Sequence, residues 1–325
     1  MQTRPWPVSL RCEARAPWPL RLPGAGPDGL LRRRGAVLER LVHVEGEAVV
    51  VAVAQTGARE VVLRARAAST AGAGEGIARM RQALGVDDDV RPFHERFRDD
   101  PLVGRALRAD PLLRVPRRPE PFEALAWAVC EQLIDYERAL AIQRRLIARL
   151  GRRCPLSGLR DAPSAAALAA ASPALLCSLG LGELRAQALR RAAGEVACGR
   201  VDLRAPEPER AWARLARIPG IGPWTLEMLA LHGQGRLDQV PAGDLNLLKL
   251  VGRLRTGRPG ARASTEEVRE HFAAYHPYGG LAAIYAVRAG AAGGAGGDAG
   301  GRGRLRSPAR AGTRWSGPGR RWAAA

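Results

Sequence analysis

LARIPGIGPWTLEMLALHGQGRLDQVPAGDLNLLKLVGRL, residues 215–254, carries the two features that decide the fold: a glycine-rich break between two helices, and one carboxylate, Asp244, ahead of a third. Residues 209–217 (ERAWARLAR) have helix-forming composition, and Ala211, Leu215 and Ile218 are spaced for a buried face. Pro219-Gly220-Ile221-Gly222 interrupts that helix, and its two glycines permit a tight turn with exposed backbone N–H groups. Pro223 suits the first position of a new helix through Trp224 and Leu229. Unpaired N–H groups at such a turn point the same way as the dipole of the following helix, so the pair forms an anion site suited to phosphate. A bare PGxG also fits an ordinary helical turn. Ile218 and Ile221 beside the glycines, with Trp224-Thr225 opening the next helix, favour a helix-hairpin-helix over 209–232.

Asp244 precedes an amphipathic segment with Leu247, Leu248 and Val251 on one face. Aspartate at that position caps the helix. Capping is compatible with chemistry, because the cap hydrogen bonds and the helix dipole favour the charged carboxylate. An anion downstream of a phosphate-gripping hairpin suits cleavage of an N-glycosidic bond, whose transition state resembles an oxocarbenium ion as in glycoside hydrolysis. An anion about 4 Å from such a cation contributes roughly 4 kcal/mol at an effective dielectric of about 20. That is worth about a thousandfold in rate.

LxxIPGIGPWT followed by VPAGDLNLLK resembles the helix-hairpin-helix (HhH-GPD) DNA glycosylases and, within them, the DNA-3-methyladenine glycosylase II family. The resemblance implies a mostly α protein: a helical glycosylase core preceded by an α+β domain with an antiparallel sheet. It implies that Asp244 is the catalytic carboxylate and that Gly220, Ile221, Gly222 and Pro223 bind phosphate beside a lesion. Trp224 and Tyr285 would stack on a flipped base. Gln132 and Leu133 would form the loop that fills the gap left by the flipped nucleotide, with Leu133 as an apolar wedge. The implied activity is monofunctional hydrolysis of alkylated bases of the 3-methyladenine and 7-methylguanine type, leaving an abasic site. The implied partner is double-stranded DNA containing such bases. No cofactor is implied beyond a monovalent cation at the hairpin when DNA is bound. A cytoplasmic monomer is expected.

The chain departs from the family pattern in places. Glu131 stands where a small residue or glutamine is usual, and an anion there would face DNA. Met228 replaces a frequent aromatic, Val287 a frequent Trp, and Gly279-Gly280 a basic or polar residue and a small one. These departures imply a more open, less aromatic pocket. Two other readings stay open: a hairpin DNA-binding protein without catalysis, and a bifunctional glycosylase/lyase for oxidised bases. The latter needs an amine nucleophile. Lys249 is the only lysine in the sequence, and Trp224 occupies the place where the lyase branch carries its own.

The formal net charge of +19 over 325 residues, with a pI near 11.3, suits a polyanionic partner. The arginine and alanine/glycine richness also fits a GC-rich genome. Five scattered cysteines form no CxxC and no cluster, so neither a zinc site nor an iron–sulfur loop is indicated and reduced thiols are expected. Asp87, Asp88 and Asp89 lack the alternating positions and closing Glu of a calcium loop and read as a solvated helix start. No metal site is expected, and no apolar run reaches membrane-spanning length.

Residues 1–72 read as the α+β domain. EGEAVVVAVAQ and REVVLRARA alternate as two strands, Glu45-Gly46 makes a turn, LRCEARAPWPLRL adds an earlier strand, and LLRRRGAVLERL reads as a helix. Residues 73–120 form a helical connector. The core spans 121–290, opening with Phe122, Leu125, Val129 and Leu133 at helical spacing. Asp135 caps the next helix, which stops at Gly151. Arg185, Arg190 and Arg191 are candidates to reach phosphates. Residues 291–325 hold ten glycines and seven arginines against one aspartate, a surplus of six that leaves +13 for residues 1–290. That composition predicts a disordered basic tail.

Overall fold

The computed structural model describes residues 6–293. The sheet domain comprises β1 (Val8–Arg15), β2 (Arg32–Arg34), β3 (Val37–Val44), β4 (Glu47–Gln55), β5 (Glu60–Ala67) and helix α1 (Thr70–Leu84). The five strands are antiparallel in the order β1-β5-β4-β3-β2. Glu45 and Gly46 both take positive φ in the tight β3–β4 turn, as the sequence predicted. LLRRRGAVLERL is not a helix. Gly35, at φ 59°, turns β2 into β3, and the β3 pattern of Leu38, Val42 and Val44 buries a strand face. Cross-strand pairing with β4 outweighs the local helix preference of the Leu/Arg run.

α1 lies on this sheet, with Ala73, Ile77, Met80 and Leu84 in the same core as Val49, Val51 and Leu63. Gly76 permits that approach, since a Cβ there would fall 2.6 Å from Val49 Cγ1. The sheet domain therefore runs past residue 72 to the end of α1 instead of giving that helix to a connector.

The rest of the chain supplies α2 (Arg91–Phe97), α3 (Gly104–Ala109), α4 (Pro121–Glu131), α5 (Tyr136–Leu150), α6 (Ala165–Ala170), α7 (Pro173–Ser178) and α8 (Glu183–Ala197). It continues with α9 (Glu209–Leu215), α10 (Pro223–Gly233), α11 (Leu245–Thr256), α12 (Thr265–Ala273) and α13 (Gly279–Gly293). These helices pack around two apolar cores. One gathers α4 to α9 around Leu125, Val129, Ile142, Leu189 and Leu215. The other joins α11, α12 and α13 to α2 and α3, so Phe93, Phe97 and Leu107 pack with Leu247, Phe272 and Tyr285. α2 and α3 of the expected connector are thus part of a helical lobe. α10 contributes Leu229 to the first core and Leu231 to the second, and so ties the two lobes together.

A buried polar network docks the sheet on the helices. Arg40 of β3 donates to Glu123 of α4 at 2.6 Å and to Asp161 at 3.2 Å, and His43 meets Asp161 at 2.8 Å. Arg118 adds a bond to buried Asp28 at 2.8 Å. Removing one member would strand the others without charge compensation. Asp88 joins a similar pair with buried Arg117 at 2.8 Å, so the aspartate triplet is only partly solvated. Among the described residues no His/Cys/Asp/Glu cluster is arranged to hold a metal, and no helix is long and apolar enough to cross a membrane. The expected disorder of 291–325 falls outside the described residues, apart from the last turn of α13.

Candidate active site

The site forms where the two helical lobes meet. α9 ends at Leu215, the chain turns through Gly220 at φ 91°, and α10 starts at Pro223 with Gly222 as its N-cap. Gly222 has no side chain to cap α10 and the Thr225 N–H donates to Gly222 O, so the N–H of Trp224 is the one in the first turn left without a cap partner. Gly220 is needed for two reasons. A side chain disfavours its positive φ, and a Cβ would lie 3.0 Å from Ala188 Cβ on α8.

Beside the hairpin, α4 ends at Glu131 and the chain reverses through Gln132 and Leu133 into α5, which Asp135 caps by accepting from Arg138 N at 2.9 Å. Leu133 is 104% exposed and holds φ 58°. A fully exposed leucine in a left-handed conformation costs free energy without burying anything in the unliganded chain. Its loop is held rigid from behind. Gln132 Nε2 donates to Gly220 O and to Thr225 Oγ1, each at 2.8 Å, which fastens the loop to the hairpin. Arg185 Nη1 donates to Cys130 O at 3.0 Å and to Gln132 O at 3.3 Å. The Gln132 amide and Arg185, both candidates for DNA contact from the sequence, are thus used to hold the loop that carries Leu133. Arg190 and Arg191 do line a groove, of about 440 Å³, together with Arg200, Arg217 and the hairpin residues Ile218 and Pro219.

Asp244 stands on the other lobe as the N-cap of α11, and its Oδ1 accepts from Asn246 N at 2.8 Å. Gly243, just before it, lies against Trp224 so closely that a Cβ would sit 3.3 Å from Trp224 Cβ. The hairpin helix therefore touches, through Trp224, the residue that precedes the aspartate. The indole is only part-buried, while its Nε1–H is enclosed and has no acceptor among the described residues.

The expected pocket changes in three respects. Tyr285 does not line it. At 1% exposure it packs among Phe93 and His94, and its hydroxyl donates to Asp110 O at 3.0 Å. Helical periodicity shows that residue 285 faces inward but not whether it faces core or cleft. Gly279 and Gly280 do not open the pocket either. A Cβ on Gly280 would lie 2.4 Å from Gln239 O, and one on Gly279 2.9 Å from Val240 Cγ2. The two glycines let α13 press against residues 237–240, which lead to Asp244. Finally, Glu131 is turned inward. Its Oε1 accepts from Gln143 Nε2 on α5 at 2.9 Å. Burial raises its pKa, the Gln143 bond and Arg118 oppose the rise, and Asp244 adds to it. Glu227 of α10 was not legible as a site residue, because it lies within the hairpin stretch at a position that no local signal singles out.

A glycine hairpin between two helices, an exposed leucine loop and a capped aspartate on one helical scaffold define a helix-hairpin-helix protein. Residues 126–277 match the HhH-GPD superfamily base excision DNA repair protein. It is 29% identical over 211 residues to a probable bifunctional transcriptional activator/DNA repair enzyme AlkA of Mycobacterium tuberculosis, an alignment covering 63% of this chain and 40% of the relative. It is 25% identical over 208 residues to a DNA-3-methyladenine glycosylase of Bacillus subtilis, covering 62% and 68%. The chain thus spans well under two thirds of the mycobacterial relative. Its fold matches the 3-methyladenine DNA-glycosylase from Archaeoglobus fulgidus with a TM-score of 0.71 at 21% identity, covering 85% of this chain and 96% of that one.

Proposed function

We propose that the protein is a monofunctional DNA glycosylase that hydrolyses the N-glycosidic bond of alkylated bases, of the 3-methyladenine and 7-methylguanine type, in duplex DNA. The observation that supports the reading is the contact of Trp224 with Gly243, which brings the residue before Asp244 against the helix that follows the glycine hairpin. DNA would lie with one backbone on the N–H groups of Gly220, Gly222 and Trp224, Pro223 having none to offer, and with Leu133 pushed into the duplex. Unstacking a base costs a few kcal/mol. Leu133 offsets part of that cost by filling the gap, and its rigid loop means little ordering is needed on binding.

The extruded base would rest on the exposed part of Trp224. Asp244 would face the sugar, where its negative charge stabilises the developing oxocarbenium ion and orients water toward C1′. A base alkylated at N3 or N7 carries positive charge and leaves without protonation, so a site with one carboxylate suffices. The reading includes no cofactor, a monovalent cation at the hairpin carbonyls when DNA is bound, and action as a cytoplasmic monomer.

The test is release of bases from methylated duplex DNA. Free 3-methyladenine and 7-methylguanine are expected. Tight binding to the same duplex without base release would favour a non-catalytic hairpin protein and overturn the proposal.

A further inference from the structure

Residues 242 and 243, the two that precede Asp244, are gripped by one face of α10. Trp224 covers Gly243. One turn further along that helix, Glu227 Oε2 accepts from Ala242 N at 3.0 Å. Residues spaced i, i+3 share a helix face, so Trp224 and Glu227 act on neighbouring residues of the passing chain. The other oxygen of Glu227 accepts from Arg269 Nη2 of α12 at 2.8 Å. The Glu227 side chain is only 13% exposed. One carboxylate therefore links three elements: the hairpin helix, the loop that carries Asp244, and a helix of the second lobe.

We infer that Glu227 is a positioning residue that fixes the Asp244 carboxylate relative to the DNA held by the hairpin. The inference rests on the glycosylase reading above. Asp244 N donates to Pro241 O at 2.8 Å, so residues 241–244 form a short turn that moves as a unit. Ala242 N is the point at which Glu227 holds that turn. The same N–H also donates to Val240 O at 2.7 Å within the chain. Without the Glu227 bond the turn keeps to α10 through apolar packing, such as Trp224 on Gly243 and Leu231 beside Ala242, which resists separation but permits sliding. A displacement of about 1 Å between catalytic group and reacting centre can cost on the order of a hundredfold in rate. Glu227 touches neither the hairpin N–H groups nor Leu133 in the structure, so DNA affinity does not depend on it.

The experiment compares Glu227→Ala, Glu227→Gln and Asp244→Asn in the full chain. Three readouts are needed: the single-turnover rate of 7-methylguanine release with enzyme in excess, the Kd for a duplex holding a tetrahydrofuran abasic analogue, and Tm. Glu227→Ala is expected to lower the rate by about 30-fold, within the range a misplaced catalytic group allows, and to leave Kd within about threefold. Glu227→Gln keeps an oxygen that accepts from Ala242 N and is expected to retain at least about a fifth of the parent rate. A purely structural role would lower Tm for both variants without this separation of rate from affinity.

A Glu227→Ala rate within about twofold of the parent, with Asp244→Asn inactive, overturns the inference and leaves the glycosylase reading intact. Glu227→Gln as slow as Glu227→Ala also overturns it, because the Ala242 bond would not then be what matters. Should Glu227→Ala fail to fold, Glu227→Gln decides alone: loss beyond about tenfold overturns the inference and retention supports it. An Asp244→Asn variant as fast as the parent is a different result, since it removes the glycosylase reading itself.

Discussion

Replacing Asp244 by Asn isolates charge from structure. Asp244 Oδ1 accepts from Asn246 N at 2.8 Å and so caps α11. Asparagine is an N-cap of similar strength, its amide oxygen can accept the same bond, and the change should cost a few tenths of a kcal/mol or less in stability. The contact between Gly243 and Trp224 involves no side-chain atom of residue 244 and survives. What is lost is one negative charge, which the proposed mechanism sets beside the sugar. At about 4 Å and an effective dielectric of about 20, that charge is worth roughly 4 kcal/mol, which corresponds to a fall of about a thousandfold in excision rate. The assay is single-turnover release of 7-methylguanine, run beside a Tm measurement and a Kd for lesion duplex, both expected to stay near the parent values. Excision by Asp244→Asn at more than about a tenth of the parent rate would show that less than about 1.4 kcal/mol rides on the charge, and would refute the electrostatic role.

Leu133→Ala should leave the fold untouched, since the side chain is fully exposed, but should weaken discrimination between lesion and undamaged duplex; unchanged excision and unchanged DNA bending by energy transfer would remove the wedge role. With Trp224 where a lyase amine would stand, the product should be an abasic site: hot alkali should cut the strand, untreated DNA should stay full length, and borohydride should trap no covalent adduct. Lys249 is exposed on α11, beyond Asp244, and efficient trapping that disappears in Lys249→Ala would revive the lyase reading. Gly280→Ala should destabilise by about 1–3 kcal/mol and slow excision more than it weakens DNA binding, because its Cβ would press on Gln239 O and shift the segment leading to Asp244. Unchanged Tm and rate in that variant would show that α13 has room to move.

The hairpin, the cap at Asp244, the core helix before the wedge and the cap at Asp135 were all legible in the sequence. Each is a local matter: glycine supplies positive φ, proline opens a helix, aspartate caps one, and apolar residues at helical spacing mark a buried face. Local preference misled only where a partner strand competed with it, as at LLRRRGAVLERL, where pairing with β4 prevails. Tertiary structure alone decided which inward-facing residues meet the cleft. Tyr285 and Trp224 read alike as aromatics on helices, yet Tyr285 is sealed among α2 side chains while Trp224 lies on Gly243. It also decided how the polar side chains are used. Gln132 and Arg185 are spent on the wedge loop, Glu131 on Gln143, and Glu227 on Ala242. A side-chain hydrogen bond between residues far apart in sequence leaves no periodicity and no local composition behind. It exists only once the lobes have packed, so the turn at Leu133 and the cap at Asp244 were readable from the chain while the residues that hold them in place were not.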